Sequence, residues 1–226
     1  MYMKKFAVIV AGGSGLRMGS VTPKQFLSLQ NKPLLWHTVQ AFASAFIDIN
    51  IVLVLPETHL KFGASIAAMF TDVPIQVVTG GDSRFQSVKN GLSIVPTDAV
   101  VFVHDGVRCL ITQALIVKCY EQAIEKGSAI PAVSATDSIR IANGDHSIVA
   151  DRINVRIIQT PQTFKSDLLL AAFQQPYQEA FTDEATVVEA FGEKVYLIEG
   201  DYTNLKITRP IDLLIAEKIL EERLPL

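Results

Sequence analysis

The sequence has 226 residues, 49% hydrophobic and 19% charged, so residues 1–226 have the length and composition of one folded α/β domain rather than a disordered chain. A formal net charge of −3 does not indicate a nucleic-acid or membrane partner, so any phosphate binding would depend on local cations. No apolar run reaches the ~20 residues of a membrane span, and the two cysteines lack metal spacing, which favours a cytoplasmic, reducing location.

The first expected element is a strand over residues 6–10, a continuous apolar run of the kind that lies buried in parallel sheets. A glycine-rich loop follows at its carboxyl end, the edge of an open α/β sheet where ligands bind. Glycines let backbone N–H groups approach phosphates, because no Cβ atom obstructs them. The loop residues that we expect to contact a nucleotide are Ala11, Gly12, Gly13 and Gly15.

The surroundings of this loop indicate which phosphate site it forms. The sequence disfavours a Walker P-loop, because neither Gly12 nor Gly13 has the second glycine, lysine and hydroxyl residue that the pattern needs. NAD binding is a poorer match, since Met18 stands where the third glycine of the dinucleotide fingerprint belongs. Arg17 and Lys24 place two cations beside the glycines, which suits a triphosphate; the alternative is an ordinary turn with solvated cations.

Strands and helices alternate along the rest of the chain, which predicts right-handed crossovers and a mostly parallel sheet. Ligands are then expected at the edge where the strands end. The apolar spacing predicts helices over 34–46, 59–70, 85–94, 113–126 and 165–174 and a terminal helix ending at 222, with strands over 49–55, 75–78, 99–103, 129–133 and 195–199.

The turn after the strand over 75–78 is a second candidate ligand loop. Gly81 and Asp82 lie in this turn, and Ser87 follows in the first turn of the next helix, where hydroxyl and backbone donors can meet a base. Gly, Asp and Ser are also ordinary turn and cap residues, so a purely structural turn is the alternative.

A carboxylate and an arginine follow the strand over 99–103. Asp105 could ligate Mg²⁺ or accept a ribose hydroxyl, and the planar fork of Arg108 could hold the phosphate of a second substrate. A solvated ion pair between Asp105 and Arg108 is the alternative. The four histidines have no metal spacing, and we assign them no chemistry.

Residues 135–156 break the alternation of strands and helices. Polar and apolar residues alternate there around Asn143-Gly144, the strongest short-range hairpin signal. A two-stranded hairpin is marginally stable by itself, so we expect this one, called here the β-arm, to pack on a second subunit in a homodimer. Further along the chain, Thr182 or Asp183 is expected to cap a helix.

These separated motifs together resemble the 2-C-methyl-D-erythritol 4-phosphate cytidylyltransferase family of sugar-phosphate nucleotidyltransferases. The matching runs are 11–18 with 23–26, 79–87, 104–108, 160–164 and 204–212. The resemblance implies a Rossmann-like, mostly parallel sheet flanked by helices, with the β-arm embracing a partner. It also implies that CTP and 2-C-methyl-D-erythritol 4-phosphate condense to a CDP-alcohol and pyrophosphate, with Mg²⁺ as cofactor.

The resemblance further assigns roles to residues. It makes Gly81, Asp82 and Ser87 the readers of the cytosine, and it makes Arg17, Lys24 and Lys206 the cations at the reacting phosphate. The residues that it assigns to the second substrate are Arg108, Ser138, Arg152, Thr160 (as a hydroxyl donor to the phosphate) and Thr182, with Arg152 serving the neighbouring subunit.

The sequence departs from the family at three positions. The family has alanine and proline where Val107 and Cys109 stand, and threonine at Ser138; we expect the missing proline to loosen its loop. The rivals are a cytidylyltransferase acting on ribitol 5-phosphate and a non-catalytic nucleotide-binding regulator. The retained cations argue against the regulator.

Overall fold

A mixed sheet of eight strands lies at the centre of the computed structural model, which describes residues 3–12 and 23–223. The strands in chain order are β1 Lys4–Val10, β2 Ser28–Leu29, β3 Lys32–Pro33, β4 Ile49–Leu55, β5 Ile75–Thr79, β6 Ala99–Asp105, β7 Ser128–Ser134, β8 Ile139–Asn143, β9 His146–Ala150, β10 Arg156–Ile158, β11 Gln162–Lys165 and β12 Leu197–Glu199. The large sheet has the order β10-β7-β11-β6-β1-β4-β5, with β12 pairing beside β7. Two short pairs, β2–β3 and β8–β9, lie outside it.

The expected mostly parallel sheet is confirmed. Strands β5, β4, β1 and β6 pair in parallel, and β12 pairs in parallel with β7. The sequence analysis did not predict β11, which runs antiparallel between β6 and β7. Its four residues, three of them polar, form too short a run for a period-2 signal.

Helices cover both faces of the sheet. They are α1 Leu34–Ala45, α2 Leu60–Ala67, α3 Arg84–Leu92, α4 Gln113–Lys126, α5 Ser166–Ala172, α6 Glu184–Ala190 and α7 Pro210–Arg223. Along β1, Ala7 and Ile9 pack with α1 and α4, whereas Val8 packs with α3 and α5, because successive side chains of a strand point to opposite faces. Among the described helices, none has both the length and the apolar character needed to cross a bilayer.

The β-arm forms the expected hairpin. Strands β8 and β9 pair antiparallel, with Asn143 opposite His146. Gly144 has φ +58 in the turn, a conformation that glycine adopts without the steric cost of a Cβ atom. Ile148 and Val149 are 61% and 71% exposed, so this chain alone leaves apolar arm residues uncovered. The dimerisation role of the β-arm stays a prediction.

The carboxyl ends of β1 and β6 lie against each other at one edge of the sheet. Gly106 N–H donates to Val10 O (2.9 Å), and a Cβ atom at Gly106 would lie 2.9 Å from the Ala11 Cβ. This close approach requires glycine. A small apolar cluster that includes Val107, Cys109 and Ile207 then joins the loop after β6 to α7.

Candidate functional site

A cavity of about 540 Å³ lies at the edge where β1, β4, β5 and β6 end. This position is the one that open α/β sheets use for ligands. Residues expected from four separate motifs therefore share one cavity. The predicted site residues that line it are Ala11, Gly12, Lys24, Gly81, Asp82, Ser87, Asp105 and Lys206.

The turn after β5 is fixed by two serine hydroxyls. Ser83 caps α3 by accepting a hydrogen bond from Gln86 N–H (3.0 Å). Ser87 Oγ accepts from Gly81 N–H (3.1 Å) and donates to Ser83 O (2.9 Å). The Ser87 side chain thus holds the shape of the loop that forms one cavity wall, while contact with a base stays a prediction.

The Asp105 carboxylate stands at the centre of a group of cations. Lys206 Nζ lies 2.9 Å and Arg108 Nε 3.6 Å from its Oδ2, and Arg84 Nη2 lies 3.5 Å from its Oδ1. Burial alone would raise the pKa of Asp105, but Arg84, Lys206 and Arg108 together hold that pKa well below its usual range. Asp105 is therefore ionised, and it fixes the position of the Lys206 ammonium.

Arg84 connects Asp105 to the opposite side of the site. Its two terminal nitrogens donate to the two oxygens of Glu184, the first residue of α6, whose side chain is 1% exposed. Burial opposes the charge on Arg84, but the Glu184 carboxylate outweighs it and raises the pKa of Arg84 above its ordinary value. The sequence analysis singled out neither residue, because no local pattern joins them.

The two described lysines of the predicted cation set come together at one place. Lys24 lies in a short 3₁₀ turn, and its Nζ donates to Ile207 O (3.3 Å), next to Lys206. Gln25 Nε2 donates to Ala11 O (2.9 Å), which ties the same turn to the end of β1. The third predicted cation and two loop glycines, Arg17, Gly13 and Gly15, lie outside the described residues.

Arg108 is held inside the protein rather than on the cavity wall. Its Nη1 donates to Asn204 O (2.8 Å), and its side chain is 12% exposed. The ion pair with Asp105 that the sequence allowed is present as a 3.6 Å contact, but it is buried rather than solvated. Phosphate binding by Arg108 stays a prediction.

Thr160 is not among the residues that line the cavity. Thr160 is 5% exposed; its Oγ1 accepts from Asp105 N–H (3.1 Å) and lies 3.0 Å from His104 Nδ1. Donation from this hydroxyl to a substrate phosphate stays a prediction. His104, to which we had assigned no chemistry, belongs to the same buried group.

Three further predicted substrate residues do not line the cavity of their own chain. Ser138 and Arg152 lie exposed at the base of the β-arm, where Arg152 Nη1 donates to Thr136 O (2.9 Å). Thr182 is exposed just before α6, and the helix cap is Asp183, which accepts from Thr186 N–H (2.9 Å). One chain thus assembles the nucleotide side of the expected site more fully than the acceptor side.

Comparison with known proteins decides the family. The family model described as 2-C-methyl-D-erythritol 4-phosphate cytidylyltransferase matches residues 5–222. The chain belongs to this family. It is 42% identical over 219 residues to the Bacteroides fragilis protein of that name, covering 96% of this chain and 100% of the relative. Over 222 residues it is 45% identical to the Porphyromonas gingivalis protein, covering 97% and 99%.

Solved structures of cytidylyltransferases agree with this membership. The 4-diphosphocytidyl-2C-methyl-D-erythritol synthase of Anaerococcus prevotii superposes with a TM-score of 0.83 at 27% identity, covering 97% of this chain and 99% of the other. The 2-C-methyl-D-erythritol 4-phosphate cytidylyltransferase of Thermus thermophilus gives 0.77 at 29% identity, covering 97% and 100%. The α/β fold of this cytidylyltransferase family member is thus shared along nearly its whole length.

The cytidylyltransferase family's usual proline is replaced by a buried cysteine without leaving the loop unsupported. Val107 and Cys109 are 6% and 4% exposed and pack in the cluster against α7. Val107 O accepts from Ile207 N–H (3.0 Å), and Arg108 O lies 3.2 Å from His104 Nε2. Hydrogen bonds and apolar packing hold the shape of this loop.

Proposed function

We propose that the chain transfers the cytidylyl group of CTP to the phosphate of 2-C-methyl-D-erythritol 4-phosphate and releases pyrophosphate. The observation that carries the proposal is the meeting of Lys24, Lys206 and Asp105 in the cavity that the two glycine turns also line. Family membership gives the substrates, and the cavity supplies cations where a triphosphate would lie.

The reaction requires no protein nucleophile. An oxygen of the acceptor phosphate attacks the α-phosphorus of CTP in line, a new P–O bond forms, and the bond to the β-phosphate oxygen breaks as pyrophosphate leaves. Negative charge grows on the oxygens of the α-phosphorus. Lys24 and Lys206 stabilise that charge because the protein already holds both ammonium groups beside the cavity.

We infer that Mg²⁺ enters with the triphosphate rather than occupying a cage built by the protein. In the part of the chain that the structure describes, no three His, Cys, Asp or Glu side chains group as a metal site. The Asp105 carboxylate in the cavity fits the way Mg²⁺ binds through one or two carboxylates plus substrate phosphates. Such an ion would neutralise phosphate charge, and Asp105 is the residue that would hold it.

A homodimer is part of the same proposal. The β-arm exposes Ile148, Val149 and Ile153 (61%, 71% and 70%), which is the kind of apolar surface that a partner covers. Ser138 and Arg152 lie on that arm and do not line the cavity of their own chain. In the dimer, each arm would bring them to the partner's site.

A reducing, cytoplasmic location is also proposed. Cys109 and Cys119 are both buried as free thiols. Free thiols packed as small apolar groups are usual where disulfides are kept reduced.

The deciding experiment incubates the purified protein with CTP, Mg²⁺ and a panel of sugar-alcohol phosphates, measures pyrophosphate, and identifies the product by mass. We expect release with 2-C-methyl-D-erythritol 4-phosphate and formation of its CDP derivative. Turnover only with ribitol 5-phosphate would show that ribitol 5-phosphate is the acceptor instead. CTP binding without pyrophosphate release on any acceptor would favour the non-catalytic regulator. In a separate titration, a change in NADH fluorescence would favour the dinucleotide-binding alternative.

A further inference from the structure

Three aromatic side chains pack together beside the cavity. Phe26 stacks on Phe62 with ring centroids 4.6 Å apart and an interplanar angle of 22°, and it meets His59 edge-on at 5.4 Å. His59 and Phe62 also meet edge-on, at 6.3 Å. We call these three residues the aromatic clamp, because they join the short turn Lys24–Phe26 to α2 and to the turn that precedes α2.

Helix α2 holds a fixed place on the sheet. A Cβ atom at Gly63 would clash with the Leu55 side chain and lie 2.9 Å from Val77 Cγ1, so α2 approaches β4 and β5 as closely as glycine allows. Three residues further on, Ile66 is buried in the core. Phe62 is thus presented from a firmly seated helix, although its own side chain is 52% exposed. Its ring stacks on Phe26.

The turn that carries Lys24 depends on its neighbours for its position. It is a three-residue 3₁₀ turn, closed by the hydrogen bond from Phe26 N–H to Pro23 O (2.9 Å), and so short an element has little stability of its own. Gln25 Nε2 ties the turn to the end of β1 by donating to Ala11 O (2.9 Å). The Phe26 ring ties it to α2 through the aromatic clamp. These side-chain contacts determine where the backbone of Lys24 lies.

The position of the Lys24 backbone matters because of what the side chain reaches. Lys24 lines the cavity, and its Nζ donates to Ile207 O (3.3 Å). A lysine carries its charge on a flexible four-carbon stem, so the ammonium group is placed only as well as the backbone that bears it. A shift of about 1 Å in a group that acts on the reaction can lower the rate by about a hundredfold.

We propose that Phe62, with His59, is a positioning residue for Lys24. The aromatic clamp passes the fixed position of α2 to the turn Lys24–Phe26, and the turn passes it to the ammonium group in the cavity. Phe62 does not line the cavity, so it acts on the reaction through Phe26 and Lys24. The catalytic consequence rests on the proposed function, whereas the packing of the turn does not.

Removing the stacked ring should lower turnover while the fold is kept. For Phe62→Ala we expect kcat to fall by about tenfold, while KM for CTP and for the acceptor phosphate stays within about threefold, because the misplaced charge acts mainly in the transition state. Phe62→Tyr, which keeps the ring, should restore most of kcat. Met69→Ala, at a 47% exposed position outside the clamp, is the matched control and should keep wild-type kcat. Unchanged kcat in Phe62→Ala would overturn the proposal.

A variant that lacks the lysine separates positioning from general damage to the cavity. If Phe62 acts through Lys24, adding Phe62→Ala to Lys24→Ala should lower the residual kcat by less than about twofold. A further loss of about tenfold would mean that the two side chains act independently, which contradicts the proposal. Thermal unfolding identifies any variant that fails to fold. His59→Ala removes the other ring that contacts Phe26 and should give the same pattern, so it decides the question if Phe62→Ala does not fold.

Amide hydrogen exchange tests the packing of the turn without any activity. The N–H groups of Phe26 and Leu27 close the turn with hydrogen bonds of 2.9 and 3.1 Å. Nuclear magnetic resonance should show both amides exchanging faster in Phe62→Ala than in the wild type, by about tenfold or more, and at the wild-type rate in Met69→Ala. Equal exchange in the wild type and Phe62→Ala would overturn the inference, whereas absent pyrophosphate release in the wild type would refute only the proposed function.

Discussion

Arg84 and Glu184, a hundred positions apart in the chain, form a two-point ion pair that joins the start of α3 to the start of α6. The other side of the Arg84 guanidinium faces Asp105 at 3.5 Å. The turn after β5, the end of β6 and the segment after Thr182 are thereby tied by one side chain. Planar arginine suits such a double contact, which a lysine could not make.

Replacing Glu184 by Gln should destabilise the protein by about 2–3 kcal/mol, because it takes the closer of two carboxylates from the largely buried Arg84 charge. The 30% exposure of Arg84 and its remaining contact with Asp105 keep the loss below that of a fully buried pair. Urea unfolding followed by circular dichroism measures the change. Glu189→Gln, on the exposed side of the same helix, is the matched control and should stay within about 0.5 kcal/mol of the wild type. Equal stability of both variants would contradict the prediction.

Removing either cavity lysine should abolish most turnover while the fold is kept. Lys24→Ala and Lys206→Ala each take one preformed positive charge from the reacting phosphate, which we expect to lower kcat by roughly a hundredfold or more. Pyrophosphate release under saturating CTP measures kcat, and circular dichroism checks that the variant is folded. Lys218→Ala, at a 67% exposed position of α7, is the control and should keep wild-type turnover. Full activity in either cavity variant refutes the assignment.

Both thiols should resist alkylation in the native protein. Burial raises the pKa of Cys109 and of Cys119 to about 12, and the thiolate is the reactive form. Because the folded pKa lies above the unfolded one, these thiols stabilise the fold fully below about pH 8.5 and lose that contribution as the pH rises toward 12.

Iodoacetamide labelling at pH 8 should therefore be more than about a hundredfold slower in the folded chain than in urea. Mass spectrometry of Cys109→Ala and Cys119→Ala assigns the label to each thiol. Rapid native labelling of Cys109 would show that the loop after β6 opens readily, against the packing described here.

A charge on the β-arm should separate the proposed dimer. Val149→Glu puts a carboxylate at a 71% exposed apolar position, which is costly in an interface and cheap in a monomer. Light scattering should give the mass of one chain for Val149→Glu and of two for the wild type, and activity should fall as the partner's Arg152 is withdrawn. Ile47→Glu, at a 95% exposed position away from the arm, is the control. A wild type that is monomeric at all concentrations would remove the dimer proposal.

The elements that could be read from the sequence are those whose signal is local. The apolar runs of β1 and β4 and the Asn143-Gly144 turn needed no knowledge of the rest of the chain. β11 was missed because four residues of mixed polarity take their strand geometry from β6 and β7 on either side. Its pairing is a tertiary effect that no window of sequence contains.

Within the site, the residues that stand in motifs could be predicted from the sequence, whereas the residues that hold them in place could not. Lys24, Asp105 and Lys206 were found because they stand in recognisable motifs, and they do line one cavity. The pairing of Arg84 with Glu184 was not predicted, because the two residues lie a hundred positions apart in the sequence. Thr160 also stands in a recognisable motif, but it is buried and does not line the cavity, so its hydroxyl contact with a substrate stays a prediction.

The antiparallel insertion of β11 constrains the order in which a newly made chain can be completed. Strands β1, β4, β5 and β6 all lie within the first 105 residues and pair only with one another or with β11, so they can assemble while the ribosome is still at work. Strand β7 can join this sheet only through β11, because β11 lies between β7 and β6. The carboxyl-terminal half can therefore add to a parallel core that has already formed, and the cavity is complete only once Lys206 is in place.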